Sequence, residues 1–501
     1  MFFSIVTPIY NPKPDFLQKA ISSIENQDFQ NWEWILVNDN SEKSEGIDLL
    51  ENIARNSRKI KLLSNKENRN ISYSTNKAIS HAIGKWIIFF DQDDLLHKNA
   101  LVTVFSYLRK YQEAKILYTD EDKVDENDQH FDPYFKPDWN PALLSSQNYF
   151  CHLLAVEKKY LENSGKLRIG YEGAQDWDLC LRLTSNLKSY EVVHVPEILY
   201  HWRSHDGSTA KSLSAKFSIV SNSSKKTLCD HIFVHGLNAN AEKVDDVHWN
   251  IKRSLSLNHP SLFLVIVFES QKERNDFDAT ELLENTEYGG EIQIFNLYQD
   301  DESKLRFWEN ETFNRPIVSE EENDIVCILS SRVKPIKVTW LRDMVAYAVD
   351  SKIGFCGPKF VNVKRDIIVS CGLIADNDGS IKSIYESLPR SFCGDKYRAK
   401  LQQNFTFIHP GCIVGRVGLF RQHCSTLSLS SIMNACLSLH LKGLYNLVLP
   451  SIEMDINEIL HIDYDFSRNK KISNWFRRVG YDPSFSPNLI IKDGLPIPRY
   501  D

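Results

Sequence analysis

Gly84-Lys85-Trp86-Ile87-Ile88-Phe89-Phe90-Asp91-Gln92-Asp93-Asp94 is the stretch on which the reading of this chain turns. An apolar run, Trp86 to Phe90, stops at three carboxylates: Asp91, Asp93 and Asp94. The run is too short and too rich in β-formers for a helix, and it predicts a fully buried strand. Carboxylates at the carboxyl end of such a strand stand where open α/β sheets bind their ligands. Clustered there, they repel one another unless a cation lies between them. Ligands that are all oxygen suit a hard ion, Mg²⁺ or Mn²⁺, which commonly also holds phosphate oxygens. The plain alternative is a solvated acidic turn, and the buried strand ahead of it weighs against that.

The flanking sequence alternates strands and helices. Strands are expected at Ser4–Pro8, Trp34–Val37 and Ile60–Leu63, the second running into Asn38-Asp39-Asn40-Ser41. Helical spacing covers Phe16–Asn26 (with Asp15 as its cap), Leu49–Arg58, Ser72–Ala82 and Ala100–Tyr111. That βαβαβ order predicts an α/β fold, Rossmann-like, with a mostly parallel sheet and helices on both faces. No Gly-x-Gly-x-x-Gly follows the first strand, so the usual dinucleotide fingerprint is missing.

The chain has 501 residues, too many for one hydrophobic core, so two or more domains are expected. Its net charge of −7 argues against a nucleic-acid partner held by bulk electrostatics. Apolar runs such as Leu262–Phe268 are far too short for a membrane span. Ser4-Ile-Val-Thr-Pro already reads as a strand with no basic segment before it, so a cytoplasmic location is expected. The ten cysteines contain no Cys-x-x-Cys pair and read as reduced thiols.

Several motifs stand in a fixed order: Ser-Ile-Val-Thr-Pro-Ile-Tyr-Asn (4–11), Leu-Val-Asn-Asp-Asn-Ser (36–41), Asn70-Ile-Ser, Gly84 through Asp94, Gln175-Asp176-Trp-Asp and His201-Trp202-Arg203. In that order the chain resembles family 2 glycosyltransferases of the GT-A fold. Tyr118-Thr-Asp-Glu-Asp-Lys, Phe135-Lys-Pro-Asp-Trp-Asn-Pro and Glu172-Gly-Ala-Gln-Asp resemble the bacterial branch that builds surface polysaccharides such as O-antigen. The resemblance covers roughly residues 3 to 210. It implies a metal-dependent, inverting transfer of a hexosyl or deoxyhexosyl group from a UDP- or dTDP-sugar to a hydroxyl of a surface glycan or lipid-linked acceptor.

The same resemblance implies roles for residues. Asp39 would accept a hydrogen bond from the nucleotide base, with Pro8 or Tyr10 packed against it; an Asx-turn is the ordinary reading of Asp39. Asp91 and Asp93 match the Asp-x-Asp motif, Asp93 above all reaching the ion on the donor diphosphate, while Asp94 caps the next helix. Asp176 is the expected base, because an acceptor hydroxyl is a poor nucleophile until its proton is removed; Glu172 is the runner-up, and a helix cap is the structural alternative. His201 would complete the metal shell and Arg203 would hold the diphosphate. Asp120-Glu121-Asp122, after an apolar strand Ile116–Tyr118, is the rival metal cluster. Asn148 and Trp139 fall on the expected acceptor side.

The second half reads as a worn copy of the first. Asp324-Ile-Val-Cys-Ile-Leu matches the buried strand but runs into Ser330-Ser-Arg-Val, and Ile432 and Asn434 stand where Asp176 and Asp178 should be. His201 lines up near Asp455. The expected organisation is tandem: a catalytic GT-A domain at 1–210, a helical linker at 211–257 and a degenerate, non-catalytic GT-A-like domain at 258–501. Lys470, Lys471, Arg477 and Arg478 around Trp475 and Phe476 suit peripheral contact with the inner face of a membrane, or simply a solvated basic helix. Two other readings stay open. One is a nucleotidyltransferase, disfavoured because Thr7-Pro-Ile-Tyr-Asn-Pro lacks glycine and a nearby arginine. The other is a non-enzymatic glycan-binding scaffold.

Overall fold

Trp86–Phe89 is a strand, with Trp86, Ile87 and Ile88 buried, and it lies near the middle of a nine-stranded sheet. The computed structural model describes residues 1–205, 213–256, 259–298, 324–456 and 464–499. These divide into two compact units: Met1–Trp139 with Gln147–His235 and Asp245–Val247, and Asn140–Ser146 with Gly236–Val244 and His248–Asp501.

In the first unit the strands are β1 (Phe3–Ile9), β2 (Trp32–Asn38), β3 (Ile60–Ser64), β4 (Trp86–Phe89), β5 (Leu95–Leu96), β6 (Ile116–Val124), β7 (His130–Tyr134), β8 (Leu154–Glu157) and β9 (Val192–Arg203). They run in the order β3-β2-β1-β4-β8-β6-β9-β5, with β7 added on β6. The β3-β2-β1-β4 half is parallel, while β8 runs antiparallel to both β4 and β6. The helix Pro14–Glu25 buries Leu17, Ala20, Ile21 and Ile24 at helical spacing against this sheet. It opens with proline in its first turn rather than with an Asp15 cap.

The amino ends of β1, β2 and β4 are pinned by one buried carboxylate. Glu33 accepts from Ser4 Oγ (2.6 Å), Ile83 N (2.7 Å) and Lys61 Nζ (2.8 Å), and Ser4 Oγ accepts from Gly84 N (2.8 Å). Burial works to raise the Glu33 pKa, but these donors outweigh it and lower it. Gly84 has to be glycine on grounds of space, since a Cβ would lie 2.6 Å from Ser4 N.

Two strands are longer than their apolar runs. β6 continues through Asp120-Glu121-Asp122, and β9 continues through His201-Trp202-Arg203. The sequence reads a strand over Val192–Tyr200, and the structure carries it three residues further; the β6–β9 register jumps from Thr119↔Val195 to Asp120↔Ile198, a bulge that absorbs Pro196.

The segment expected as a helical linker holds the helix Leu213–Val234 in the first unit and a hairpin, β10 (Ala239–Lys243) and β11 (Trp249–Arg253), in the second. The second unit then forms β12 (Leu262–Phe268), β13 (Ile292–Tyr298), β14 (Ile325–Ser330), β15 (Val333–Pro335), β16 (Ile353–Asn362), β17 (Ile367–Ser370), β18 (Leu373–Ala375), β19 (Ser380–Ser383), β20 (Gln403–Phe405), β21 (Cys412–Arg416) and β22 (Tyr445–Ile456). Its main sheet runs β13-β12-β14-β21-β16-β22-β15. This repeats β2-β1-β4-β8-β6-β9-β5 strand for strand, in chain order and in every parallel or antiparallel pairing. Even the bulge recurs, with a register jump beyond Leu449 at Pro450. β3 has no counterpart among the described residues.

All ten cysteines are free. Among the described residues no helix is long and apolar enough to cross a membrane. Trp475 of the helix Lys470–Val479 is buried, while its four basic side chains are exposed.

Gly84→Ala should destabilise the first unit by about 1–3 kcal/mol, because the added methyl meets backbone rather than a movable side chain. Urea unfolding followed by tryptophan fluorescence measures it; an unchanged midpoint would contradict the packing described.

Candidate functional site

The acidic turn after β4 is organised by β9. Asp94 is buried, its Oδ1 accepting from Arg203 N (2.7 Å) and its Oδ2 from the Tyr200 hydroxyl (2.5 Å). It is therefore not a helix cap; Asn99 occupies that position before the helix Ala100–Lys110. Burial, then the charges of Asp93 and Asp91, push its carboxyl well above the usual range. Asp91 is half-buried and pushed up to about 7, by burial first and then by Asp93 and Asp176. Asp91 thus feels the charge of Asp176, more than eighty residues away in sequence: the fold brings the acidic turn and the expected base together.

Asp176 sits in the first turn of the helix Gln175–Thr184, where Ala174 is the N-cap. Its Oδ1 accepts from Trp177 N (2.9 Å), and its Oδ2 from Asn148 Nδ2 (3.1 Å) and Cys151 Sγ (3.2 Å). Cys151 stays a neutral thiol, its pKa raised by Cys180, by burial and by Asp176. Asp178, next along the helix, is structural: Arg168 and Arg182 both pair with it and hold it at 2% side-chain exposure. Glu172 accepts from Gly170 N (2.9 Å).

Asp93 Oδ2 lies 2.9 Å from His205 Nε2, and His205 Nδ1 lies 3.3 Å from Lys13 Nζ. His205 was not singled out in the sequence. The available signal was spacing, since it follows Arg203 by two residues at the end of an extended strand. His201, expected at the metal, places its Nδ1 2.6 Å from Asp122 Oδ1 instead. Arg203, expected on a diphosphate, is fully buried: its Nε donates to Asp93 O (2.9 Å), and its Nη1 to Asp125 O (2.9 Å) and Asp128 Oδ1 (2.9 Å). It shapes the acidic turn from behind.

Asp39 is buried at the carboxyl end of β2, its Oδ1 accepting from Asn65 Nδ2 (2.6 Å) and Arg69 N (2.9 Å). Tyr10 is exposed and Pro8 half-buried at the end of β1. Gln92 is bonded to both backbone groups of Tyr10, which ties the acidic turn to the β1 loop.

In the rival cluster Asp120 and Glu121 are held by protein partners. Asp120 Oδ1 accepts from Lys136 N (2.9 Å) and lies 2.9 Å from His194 Nε2, whose Nδ1 lies 2.9 Å from Asp138. Glu121 pairs with the fully buried Lys136 (3.2 Å). Asp122 is shared by His201 and His130. By contrast, no Lys or Arg pairs with the Asp91 or Asp93 carboxylate among the described residues. Mutually repelling carboxylates, one imidazole and no cationic side chain form a donor set that suits a divalent cation. His152, whose donor nitrogen lies with Asp91 and Asp94 in a group spanning at most 4.8 Å, is kept neutral, its pKa lowered to about 3 by burial and by Lys136.

The second unit differs at each of these positions. Phe3 pairs with Trp86 and Leu262 with Ile325, so Ser330 stands where Asp91 does and Arg332 where Asp93 does. Arg332 is held by Glu269 (2.6 Å) and Glu273 (2.6 Å), and Ser331 Oγ donates to Glu273 (3.0 Å). Ile432 is buried, and Asp455 accepts from Val363 N (2.9 Å).

Residues 4–162 match the family model described as Glycosyl transferase family 2. The chain is 27% identical to the uncharacterized protein y4gI of Sinorhizobium fredii, over 98% of this chain and 58% of that protein. It is 24% identical to the O-antigen biosynthesis protein RfbC of Myxococcus xanthus, over 83% of this chain and 34% of RfbC. The chain therefore spans between a third and three fifths of these two relatives. Among solved structures, S. aureus TarS 1–349 in complex with UDP aligns with a TM-score of 0.35 at 17% identity, over 46% of this chain and 66% of that one.

His194 yields a pH prediction. Burial lowers its pKa, but Asp120 and Asp138 outweigh burial and raise it to about 9 from 6.5. A raised histidine stabilises fully below its unfolded pKa, and that stability is lost as pH climbs through the folded value. Between pH ~6.5 and ~9 the first unit should lose on the order of 3 kcal/mol. His194→Gln should flatten that slope in urea unfolding across the same range; an equal slope in both proteins would contradict it.

Proposed function

Because residues 4–162 belong to glycosyl transferase family 2, we propose that the first unit transfers a sugar from a nucleotide-diphosphate donor to a hydroxyl of a surface glycan or lipid-linked acceptor. The observation that carries this reading is the meeting of Asp93 and His205 at the carboxyl ends of β4 and β9, with Asp176, on the helix Gln175–Thr184, near enough for its charge to raise Asp91. A donor with a UDP or dTDP group fits Asp39: Asn65 and Arg69 hold its Oδ1, and its Oδ2 would accept from a base N–H, with Pro8 and Tyr10 alongside. Asp91, Asp93 and His205 would hold Mg²⁺ or Mn²⁺, with His205 in the place first expected for His201. Such an ion supplies charge stabilisation to a departing diphosphate.

The chain's own residues then have separable tasks. Asp176 takes the proton of the acceptor hydroxyl; Asn148 and Cys151 hold Oδ2 in place, and the Trp177 amide holds Oδ1. Arg203 and Tyr200 are positioning residues that set the turn bearing Asp91 and Asp93. One base suffices for inversion, and no second carboxylate is needed as a nucleophile. The second unit serves packing, assembly or acceptor docking, since Arg332, paired with Glu269 and Glu273, takes the cation's place and Ile432 cannot accept a proton. The exposed basic side chains of the helix Lys470–Val479 favour work close to an anionic membrane face.

The test is diphosphate release from a panel of nucleotide sugars with Mn²⁺. Asp93→Ala should abolish transfer and weaken Mn²⁺-dependent nucleotide binding; full activity in saturating Mn²⁺ would overturn the site. His205→Ala should raise the Mn²⁺ requirement, while donor release in His201→Ala should follow the wild-type Mn²⁺ curve.

Asp176→Asn should cost ~10²–10⁴ in turnover with donor binding by calorimetry intact. Near-wild-type turnover there, with loss in Glu172→Gln, would move the base to Glu172. Residual transfer in the Asp93→Ala, Asp176→Asn double variant would assign activity to the second unit.

A further inference from the structure

Asp122, His130 and His201 do not enter the chemistry proposed above, yet three adjacent strands aim them at one another. His201 on β9 is the direct partner of Asp122 on β6, and His130 on β7 pairs with Val124, two residues further along β6. The Asp122 carboxylate is shared: Oδ1 lies 2.6 Å from His201 Nδ1 and Oδ2 lies 2.9 Å from His130 Nδ1. One donor atom from each residue falls within a group spanning at most 4.8 Å. The His130 and His201 rings are 4.6 Å apart, edge to face, and the His97 ring is 6.1 Å from His201. Asp122 and His201 are buried, whereas the His130 side chain is 53% exposed and leaves one side open to solvent.

We propose that Asp122, His130 and His201 form a second cation site, distinct from the Asp91–Asp93 turn and selective for a transition ion of the Zn²⁺ type. The chemistry of the donors decides the class of ion. Two imidazoles and one carboxylate suit Zn²⁺ or Co²⁺, with water completing the shell, whereas Mg²⁺ prefers oxygen alone. Each ring binds the ion as a neutral imidazole through its Nδ1 lone pair, so the Nδ1 hydrogen now facing Asp122 is exchanged through solvent for one on Nε2. The shared carboxylate already holds both rings at hydrogen-bond distance, so little rearrangement is required. A bound ion would fasten the β7 hairpin to β6 and β9. Two residues beyond His201 on β9, Arg203 holds the acidic turn, so the site braces the catalytic face from one side.

Co²⁺ tests the proposal, because its visible d–d absorption reports a four- or five-coordinate site directly. The full chain, stripped with chelator and kept in excess Mg²⁺ to occupy the carboxylate turn, is titrated with Co²⁺ and then with competing Zn²⁺. One equivalent should give the band in the wild type and in Asp93→Ala, and Zn²⁺ should abolish it. His130→Ala, at an exposed position, and Asp122→Asn should each bind at least ~10-fold more weakly, a loss that even outer-shell changes produce. Three results would overturn it: no band in the wild type, a band unchanged in His130→Ala, or a band lost in Asp93→Ala and kept in His130→Ala. The unchanged band would place the ion elsewhere, for instance at His231 and His235, whose rings are 4.4 Å apart.

Discussion

The hydrogen bonds from the end of β9 to Asp94 and Asp93 are the constraint on which the first unit depends. Three carboxylates in four residues would fly apart as a free turn. Here Arg203 N and the Tyr200 hydroxyl take both oxygens of Asp94, and the buried Arg203 guanidinium takes the Asp93 carbonyl. One carboxylate is thereby removed from the exposed set and used as an anchor. Among the described residues, Asp91 and Asp93 have no Lys or Arg on their carboxylates, and their mutual repulsion would be relieved by a bound cation.

That anchor needs β9 to reach past Tyr200, and β9 reaches so far only because a bulge takes up Pro196. Downstream of the bulge, His201 stands beside Asp122 on β6, while Arg203 and His205, two and four residues further on, meet Asp93. The second unit keeps the sheet and the bulge at Pro450 but exchanges carboxylates for Ser330 and Arg332. Its charge logic is inverted. An arginine neutralised by Glu269 and Glu273 fills the place where the first unit leaves negative charge open. The conserved sheet order alongside exchanged site residues is what a duplicated scaffold would look like when its packing is retained and its chemistry is not.

Much of this was legible without coordinates. Period and composition are local signals, so the strand Trp86–Phe89, the helices around it and the α/β order could be read directly, as could the repetition of the buried strand at Ile325. Strand extents at β6 and β9 could not. Charged residues look like strand ends in a sequence, and they become strand interiors only when neighbours supply partners: Lys136 and His194 for the acids of β6, Asp122 for His201 on β9. The role of Arg203 was unreadable for the same reason. A guanidinium near aspartates suggests phosphate, and only the tertiary structure shows it buried behind the turn, with Nε on the Asp93 carbonyl and Nη1 on Asp125 and Asp128.

What the chain determines by itself is the set of groups and their local frames: carboxylates after a buried strand, an aspartate opening a helix, and serine and arginine in the second copy. What only tertiary structure decided is which of those groups meet. Asp176 interacts with Asp91, His205 reaches Asp93, and His201 turns to Asp122, because strand order and register bring distant segments together. Spacing along a chain carries the period of its own helix or strand. It carries no information on the register between strands, which packing and hydrogen bonding across the sheet settle.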